Sequence, residues 1–238
     1  PGVGQNLFNH LSAQVTFKVK DGLSLHGDVD AVHFGLHYPS DGSSEVSDML
    51  LRTTPMVDER PERVPGLRTK SLNDDVPADR VARLSVTLGL PDGAGYVRLA
   101  SADPSAQPFF NYCYLQHPND SRRVREGIRT ATEFLESGAY KDVCDYRLHP
   151  TDDILADDDA LDLWIRQIVG TARHVSGTCK MGPDSDPMAV VDQYGSVKGI
   201  QGLSVVDASI LPRVPRSGGL HATVLMVGER VAEWIAPK

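Results

Sequence analysis

The stretch 203–235, LSVVDASILPRVPRSGGLHATVLMVGERVAEWI, contains a strand, a turn and a helix pattern in close succession. Its first five residues form a short apolar run, which predicts a buried strand over 203–207 that ends in Asp207. A turn with two adjacent glycines follows, and the residues after it predict a helix over 221–235. Because this helix is apolar nearly all round, we expect it to be buried.

Upstream of this stretch, the apolar residues predict paired strands. Val15, Phe17 and Val19 are spaced by two, which predicts a strand, and a second strand is expected near 31–35. The segment 81–100 alternates on both sides of a PDGAG turn, which predicts a β-hairpin.

Two amphipathic helices are predicted in the middle of the chain, over 119–137 and 158–170. Acidic residues at 157–159 favour the N-terminus of the second helix. The buried face of the second helix is expected to consist of Leu161, Leu163, Trp164 and Ile168.

Together these elements predict an α+β fold in which helices cover a mixed antiparallel sheet. The stretch 38–80 is rich in proline, glycine, serine and charged residues. Its segment 55–65, PMVDERPERVP, is incompatible with a helix or a central strand. We therefore expect 38–80 to be a long loop or lid.

Composition excludes several classes of protein. The net charge of −8 and the pI near 5.4 disfavour nucleic-acid binding, which needs clustered Lys and Arg. We expect no membrane span and no signal peptide. Three scattered cysteines disfavour a disulfide framework and a zinc site, and they fit a reducing, cytoplasmic compartment. The first residue, Pro1, and the turn pattern after it are typical of a chain that something precedes.

Two histidines lie beside glycine-containing turns. His174 stands in TARHVSGTCKMG, where small residues allow close approach of a ligand. His221 follows two glycines at the start of the last predicted helix, and a helix N-terminus stabilises an anion such as an alkoxide. Taken alone, each histidine is more typical of a polar group at a loop–helix junction.

Other polar residues give weaker signals. Asp207 is either a ligand-facing carboxylate or the cap of a turn formed with Ser209. No metal site is expected, since the spacing of His26, His33 and His37 lacks supporting Cys or carboxylate residues. The remaining histidines are interpreted as structural or surface groups: His10, His117 and His149.

Several motifs in order resemble the C-terminal part of glucose–methanol–choline flavoenzymes. The resemblance is most specific in the last third of the chain and weakest at about 38–80. The motifs are PGVGQNLFNH (1–10), GYVRLASADPSAQPFFNYCYLQHPND (95–120), HVSGTCKMG (174–182), GLSVVDASILP (202–212) and HATVLMVGERVAEWI (221–235).

The resemblance implies a catalytic pair, His174 and His221, at the reactive face of FAD. It further implies that Asp207 and Ala208 lie near the phosphate and ribityl part of the cofactor. Backbone around His221, Ala222 and Thr223 would face the pyrimidine ring of the flavin. On this basis 1–170 is expected to be mainly the substrate-binding domain. The segment 171–238 is expected to carry the catalytic motifs and to complete an FAD-binding Rossmann-like domain.

The implied activity is oxidation of the CH–OH group of an alcohol or sugar to a carbonyl, with hydride passing to the flavin. The glycine-rich ADP-binding loop of the family is missing from this sequence, so we expect the N-terminal FAD-binding half to be a separate chain. Two alternatives stay open: a flavin-containing hydroxynitrile lyase on the same scaffold, and a non-catalytic binding module.

Overall fold

The computed structural model describes residues 1–23, 35–55, 76–77, 80–216 and 219–235. These residues form two compact units. The first unit consists of Pro1–Leu11, Leu88–Ser121 and Thr171–Lys238, and the second consists of Ser12–Thr87 and Arg122–Gly170. The structure thus groups 88–121 with the C-terminal segment, whereas the sequence analysis assigned it to the substrate-binding domain.

The second unit combines a β-sheet with helices, as the predicted α+β class requires. Its strands lie in the order β2-β3-β4-β1-β7, and the two-residue strand β8 also pairs with β1. The pairs β1–β7 and β2–β3 are antiparallel. The bounds are β1 Leu11–Val19, β2 Gly35–Tyr38, β3 Met49–Pro55, β4 Val81–Leu88, β7 Cys144–His149 and β8 Gly170–Thr171.

Three predictions about the strands are corrected or restricted by the structure. The expected loop 38–80 contains β3, because the apolar run Met49–Leu51 is buried in the sheet. The expected hairpin 81–100 is wrong, since β5 (Tyr96–Arg98) pairs with β6 (Phe109–Asn111) and not with β4. The second predicted strand near 31–35 and the segment 56–75 of the expected lid lie almost wholly outside the described residues.

The helices of the second unit follow the predicted positions closely. They are α1 (Pro118–Glu136) and α3 (Asp158–Ile168), and the short helix α2 (Asp152–Ala156) before α3 was not predicted. The carboxylate of Asp157 accepts a hydrogen bond from the N–H of Ala160 and so caps α3. Leu161, Trp164 and Ile165 form the buried face of α3, and Leu163 is exposed, contrary to expectation.

A glycine in α1 permits close packing of that helix on the sheet. A Cβ atom at Gly127 would stand 2.6 Å from Cγ1 of Val86 and 2.9 Å from Cε of Met49. Glycine in a helix interior costs about 1 kcal/mol relative to alanine. The close contact with the strands explains why glycine occupies this position.

One buried ion pair joins α1 to the segment before β3. Arg123 Nη1 donates to Oδ2 of Asp48 at 3.0 Å, and both side chains are almost fully buried. The N–H and the hydroxyl of Ser40 also donate to the Asp48 carboxylate, each at 2.7 Å. Burial alone raises the pKa of Asp48, but these hydrogen bonds outweigh it and hold the pKa below its usual value.

The first unit has its own apolar core beneath the last helix, α4 (Leu220–Ile235). Val227 and Val231 of α4 pack with a cluster of buried residues from the preceding loops, namely Val190, Val191, Ile210 and Leu211. The prediction that α4 is buried all round is wrong. Leu225, Met226 and Ile235 are more than half exposed, because the core contacts one face of the helix only.

None of the helices among the described residues is both long and apolar enough to cross a membrane.

Candidate active site

Two segments far apart in sequence run side by side in the first unit and bring its histidines together. Phe8 and Ser176 exchange both backbone hydrogen bonds at 3.0 Å, and the N–H of Ala172 donates to the carbonyl of His10. At the other end of the pairing, the N–H of Gly4 donates to the carbonyl of Thr178. The opening motif 1–10 therefore lies along the loop that carries His174.

This pairing places the ring of His10 against the ring of His174. The two Nδ1 atoms lie 2.7 Å apart, and the rings meet edge to face with centroids 5.0 Å apart. His10 is fully buried, and its Nε2 lies 2.8 Å from the carbonyl oxygen of Pro215. His10, which was expected to be a structural or surface group, therefore contacts a predicted catalytic residue, and no local sequence pattern predicted this contact.

The environment of His10 keeps its ring neutral near pH 7. Burial lowers the pKa of His10 to about 4; the carbonyls of Pro215 and Gly89 oppose that shift, and the neighbouring His174 adds to it. His10 is therefore a neutral hydrogen-bonding group beside His174 at physiological pH.

Asn9 fixes the backbone at His174. Its Oδ1 accepts a hydrogen bond from the N–H of His174 at 2.8 Å. Its Nδ2 lies 2.6 Å from each of two hydroxyl oxygens, those of Tyr114 and Thr171. Asn9 is only 3% exposed, so these bonds are shielded from water. The adjacent residues Asn9 and His10 thus hold the backbone and the ring of His174, respectively.

The loop after His174 requires a glycine. Gly177 has φ +86°, in the left-handed region, and a Cβ there would stand 2.4 Å from the carbonyl oxygen of Asn6. The side chain of Asn6 donates to the carbonyl of Gly177 at 3.2 Å. Only a residue without a side chain allows the opening motif to approach the His174 loop this closely.

Asp207 and Ala208 lie alongside the same loop. The N–H of Gly177 donates to the carbonyl of Ala208, and the N–H of Cys179 donates to the carbonyl of Ser209. The predicted strand 203–207 is wrong: only Ser204 makes an isolated bridge, and Asp207 is exposed. The carboxylate of Asp207 caps a short 3₁₀ turn, Ala208–Ile210, by accepting from the N–H of Ser209 at 2.7 Å, which confirms the turn-cap interpretation.

His221, Ala222 and Thr223 occupy the first turn of α4. His221 and Ala222 are exposed, and Thr223 is partly buried. The N–H and the hydroxyl of Thr223 both donate to the carbonyl of Gly219. The structure places His174 in direct contact with His10, and the pairing of His174 with His221 stays a prediction.

A row of aromatic side chains leads to the Asn9 amide. Phe110 stacks with Tyr112, and Tyr112 stacks with Tyr114 at a centroid distance of 5.0 Å. The hydroxyl of Tyr114 bonds to Asn9, and burial raises the pKa of Tyr114 to about 12. Phe110 at the other end of the row is 47% exposed. In the motif FFNYCY (109–114), aromatic residues alternate at 110, 112 and 114. This spacing was the sequence signal for the aromatic row, which the sequence analysis did not predict.

Two other features do not involve the predicted site residues. The ligand atoms of Asp92, His117 and Asp120 lie within 4.8 Å of one another. However, both carboxylate oxygens of Asp120 accept backbone N–H groups, from Asp92 and Gly93, so a structural role accounts for that residue. A cavity of about 300 Å³ in the second unit is lined by residues between Leu135 and Arg147.

Fold and site together define an α+β protein with a histidine-centred site in its first unit. The family model described as GMC oxidoreductase matches residues 91–228, which is more than half of the chain. The chain belongs to the GMC oxidoreductase family.

Curated relatives match from about two thirds of the chain to all of it. The oxygen-dependent choline dehydrogenase of Escherichia coli is 30% identical over the whole chain, which spans 44% of that protein. A GMC-type oxidoreductase of Rhodococcus erythropolis is 40% identical over 69% of the chain and 32% of its own length. The chain thus spans less than half the length of these relatives.

Solved structures with the same fold include pyridoxine 4-oxidase from Mesorbium loti, with a TM-score of 0.81 and 23% identity. That comparison covers 99% of this chain and 44% of the oxidase. A formate oxidase from Aspergillus oryzae, studied for its FAD modification, gives a TM-score of 0.76 at 22% identity over 98% of this chain and 47% of that one. At these identities the likeness establishes the fold. It confirms the predicted α+β class.

Proposed function

We propose that this chain is the part of an FAD-dependent oxidoreductase that supplies the proton-transferring histidine for oxidation of a CH–OH group to a carbonyl. The observation that carries the proposal is His174, held at its backbone by Asn9 and at its ring by His10, in a chain of the GMC oxidoreductase family. The relatives named above include a dehydrogenase and two oxidases, which agrees with this reaction class.

His174 acts as the general base of the proposed reaction. Oxidation of an alcohol removes a proton from oxygen and a hydride from carbon, and a bound flavin supplies the hydride acceptor. An imidazole with a pKa near 6.5 accepts the hydroxyl proton close to neutral pH. The fixed backbone and ring of His174 reduce the freedom that would otherwise be lost on reaching the transition state.

His221 is the proposed second member of the pair. It lies in the first turn of α4, where the N–H groups and the dipole of the helix favour negative charge. A donor at this position stabilises the alkoxide that develops as the proton leaves. His221 is exposed in the described chain, as a residue that meets a substrate must be before binding.

The proposed cofactor contacts are those of Asp207, Ala208, His221, Ala222 and Thr223. Residues of this set fit a flavin in two respects. Asp207, His221 and Ala222 are exposed, and Ala208 is bonded to the loop that carries His174. Backbone groups at a helix N-terminus can donate to the electronegative atoms of the pyrimidine ring.

The exposed apolar face of α4 is the proposed contact with the FAD-binding region. Leu225, Met226, Trp234 and Ile235 are between 43% and 62% exposed, and a concentration of exposed apolar side chains on one helix marks an interaction site. The relatives contain additional sequence of the required size, since this chain spans 44% or less of each. That the region is a separate chain stays a prediction, as does a cytoplasmic location.

The chemical class of the substrate is an alcohol or a sugar. Among the relatives, one is named for choline and another for pyridoxine. The aromatic row Phe110, Tyr112 and Tyr114, which bonds to Asn9 through Tyr114, favours an alcohol that carries a planar or apolar group over a fully hydroxylated sugar.

The test is anaerobic mixing of the purified protein, with whatever co-purifies, against a panel of primary alcohols, while flavin absorbance is recorded. We expect bleaching with at least one alcohol, and a rate lower by roughly 10²–10⁴ in His174→Ala at equal flavin content. His221→Asn should lose less than His221→Ala, because the amide can still donate to the alkoxide.

Three outcomes would overturn the proposal. If the flavin in His174→Ala bleaches at the wild-type rate, His174 is not the general base. A flavin that never bleaches, in a protein that cleaves a cyanohydrin instead, would establish the lyase. A colourless protein that stays folded and monomeric would identify a binding module.

A further inference from the structure

The contact between the rings of His10 and His174 constrains which nitrogen of each ring holds a proton. A neutral imidazole has one N–H donor and one acceptor nitrogen, and the partner of one nitrogen decides the role of the other. Both nitrogens of His10 have partners at hydrogen-bond distance: the carbonyl oxygen of Pro215 at Nε2 and Nδ1 of His174 at Nδ1. The carbonyl of Gly89 also lies near the ring and raises its pKa.

The carbonyl of Pro215 accepts only, so Nε2 of His10 must carry the hydrogen. Because burial keeps His10 neutral, its Nδ1 is then the acceptor. At 2.7 Å, Nδ1 of His174 has to donate to it. The opposite arrangement would set Nε2 of His10 against a carbonyl with no hydrogen between them.

We propose that His10 is a positioning residue that holds His174 in the tautomer with hydrogen on Nδ1, so that the basic lone pair lies on Nε2. This inference rests on the proposed function for its catalytic meaning. His174 donates to His10, and His10 donates to the carbonyl of Pro215. This chain of two hydrogen bonds leaves Nε2 as the proton-accepting atom of His174. The proton of the substrate hydroxyl is transferred to that Nε2, and His174 becomes an imidazolium whose Nδ1–H still donates to His10.

The burial of His10 is essential to this role. A protonated histidine would donate from both nitrogens and could not accept from His174. The pKa of about 4 keeps His10 an acceptor over the whole neutral range. Among the described groups that shift this pKa, His174 is the one titratable side chain, and the others are the backbone carbonyls of Pro215 and Gly89.

Two substitutions separate the two bonds of His10. Asparagine is shorter and can present its amide oxygen where Nδ1 of His10 lies, so His10→Asn keeps an acceptor for His174. Glutamine is longer and can present its amide N–H where Nε2 lies, so His10→Gln keeps the bond to Pro215 and removes the bond to His174. His117→Gln, at a half-exposed histidine of the same unit, is the matched control.

The experiment is a long-range ¹H–¹⁵N correlation spectrum of the histidine rings in ¹⁵N-labelled protein near pH 7.5, in the form in which it is purified. In the wild type we expect the Nδ1–H tautomer at His174 and the Nε2–H tautomer at His10. His10→Asn and His117→Gln should leave the His174 pattern in place, whereas His10→Gln should shift His174 to a mixture or to Nε2–H.

The kinetic counterpart is a fall in kcat of about 10-fold in His10→Gln with a smaller change in KM. Tenfold corresponds to ~1.4 kcal/mol, the worth of one buried hydrogen bond. His10→Asn should recover most of the loss, which a merely structural role would not predict.

An Nε2–H tautomer at His174 in the wild-type spectrum would overturn the inference even if every variant failed to fold. An unchanged His174 pattern in His10→Gln would also overturn it. The proposed function fails separately: if His174→Ala oxidises alcohols normally, the tautomer result stands and only its catalytic meaning is lost.

Discussion

Replacing Asn9 by alanine tests how firmly the backbone of His174 is held. The amide of Asn9 makes three hydrogen bonds, to the N–H of His174 and to the hydroxyls of Tyr114 and Thr171. The two hydroxyls also interact with each other, so they retain a partner in the variant. The N–H of His174 loses its acceptor in a site where Asn9 is only 3% exposed.

The expected loss of stability in Asn9→Ala comes from the N–H of His174, which loses its acceptor, and not from the two hydroxyls, which keep a partner. A buried donor left without an acceptor costs about 1–3 kcal/mol, and we expect about 2 kcal/mol for Asn9→Ala. The loss should concentrate on the pairing between 4–10 and 172–178. A local loss of this size corresponds to roughly 30-fold faster amide exchange wherever opening of the pairing controls exchange.

Native-state hydrogen exchange is the assay, read at the amides of Ala172 and Ser176, which donate to His10 and Phe8. Asn9→Asp should restore most of the protection, because a carboxylate oxygen can accept from His174 while both hydroxyls donate to it. Asn111→Ala, which removes a local bond to the N–H of Cys113, is the matched control. Protection in Asn9→Ala equal to that of the control would refute the reasoning.

Two further predictions concern the stability of the second unit. Asp48→Asn removes the carboxylate that the buried Arg123 contacts, so we expect a loss of about 3–5 kcal/mol in urea denaturation, and a loss below 1 kcal/mol would contradict it. Because the folded-state pKa of Asp48 is lowered, its stabilisation is present above the unfolded pKa near 3.9 and disappears as pH falls through the folded pKa, an acid dependence that Asp48→Asn should flatten. Gly127→Ala should destabilise by about 1 kcal/mol, since overpacking against Val86 outweighs the gain in helix propensity. Gly228→Ala, whose new Cβ meets no described atom within 4 Å, should be neutral or stabilising in the same thermal melt.

Local periodicity predicted the elements whose stability is decided within a few turns of chain. The strand at Val15–Val19 and the helices α1, α3 and α4 lie where the apolar spacing indicated. The capping role of Asp157 also follows from its position directly before α3. In each case the sequence signal and the structural cause lie within the same ten to twenty residues.

Features that depend on distant partners were missed. The pairing of β5 with β6 requires knowledge of which strand approaches, and Gly95 before β5 lies so close to the backbone of Asn111 that a Cβ would collide with it. The exposure of Leu225 and Ile235 in α4 was missed for the same reason: an apolar helix pattern does not reveal which faces find a partner within the chain.

In the histidine site, too, the residue with a local sequence signal was predicted and the residues that depend on distant partners were not. His174 was found from its glycine-containing turn and its motif, but His10 was not, although it ends the motif PGVGQNLFNH that carried the resemblance. Its importance comes from a neighbour 164 residues away, and no local pattern encodes that contact. Asn9, the residue before it, was missed for the same reason.

The distances along the chain within this site also set an order of events during synthesis. The carbonyl of Pro215, to which His10 bonds, is added to the chain 205 positions after His10. At about 5–20 residues per second, this interval is roughly 10–40 s. Throughout that time a segment whose native partners do not yet exist must stay accessible. The segment that carries His10 is therefore synthesised well before the site that it completes.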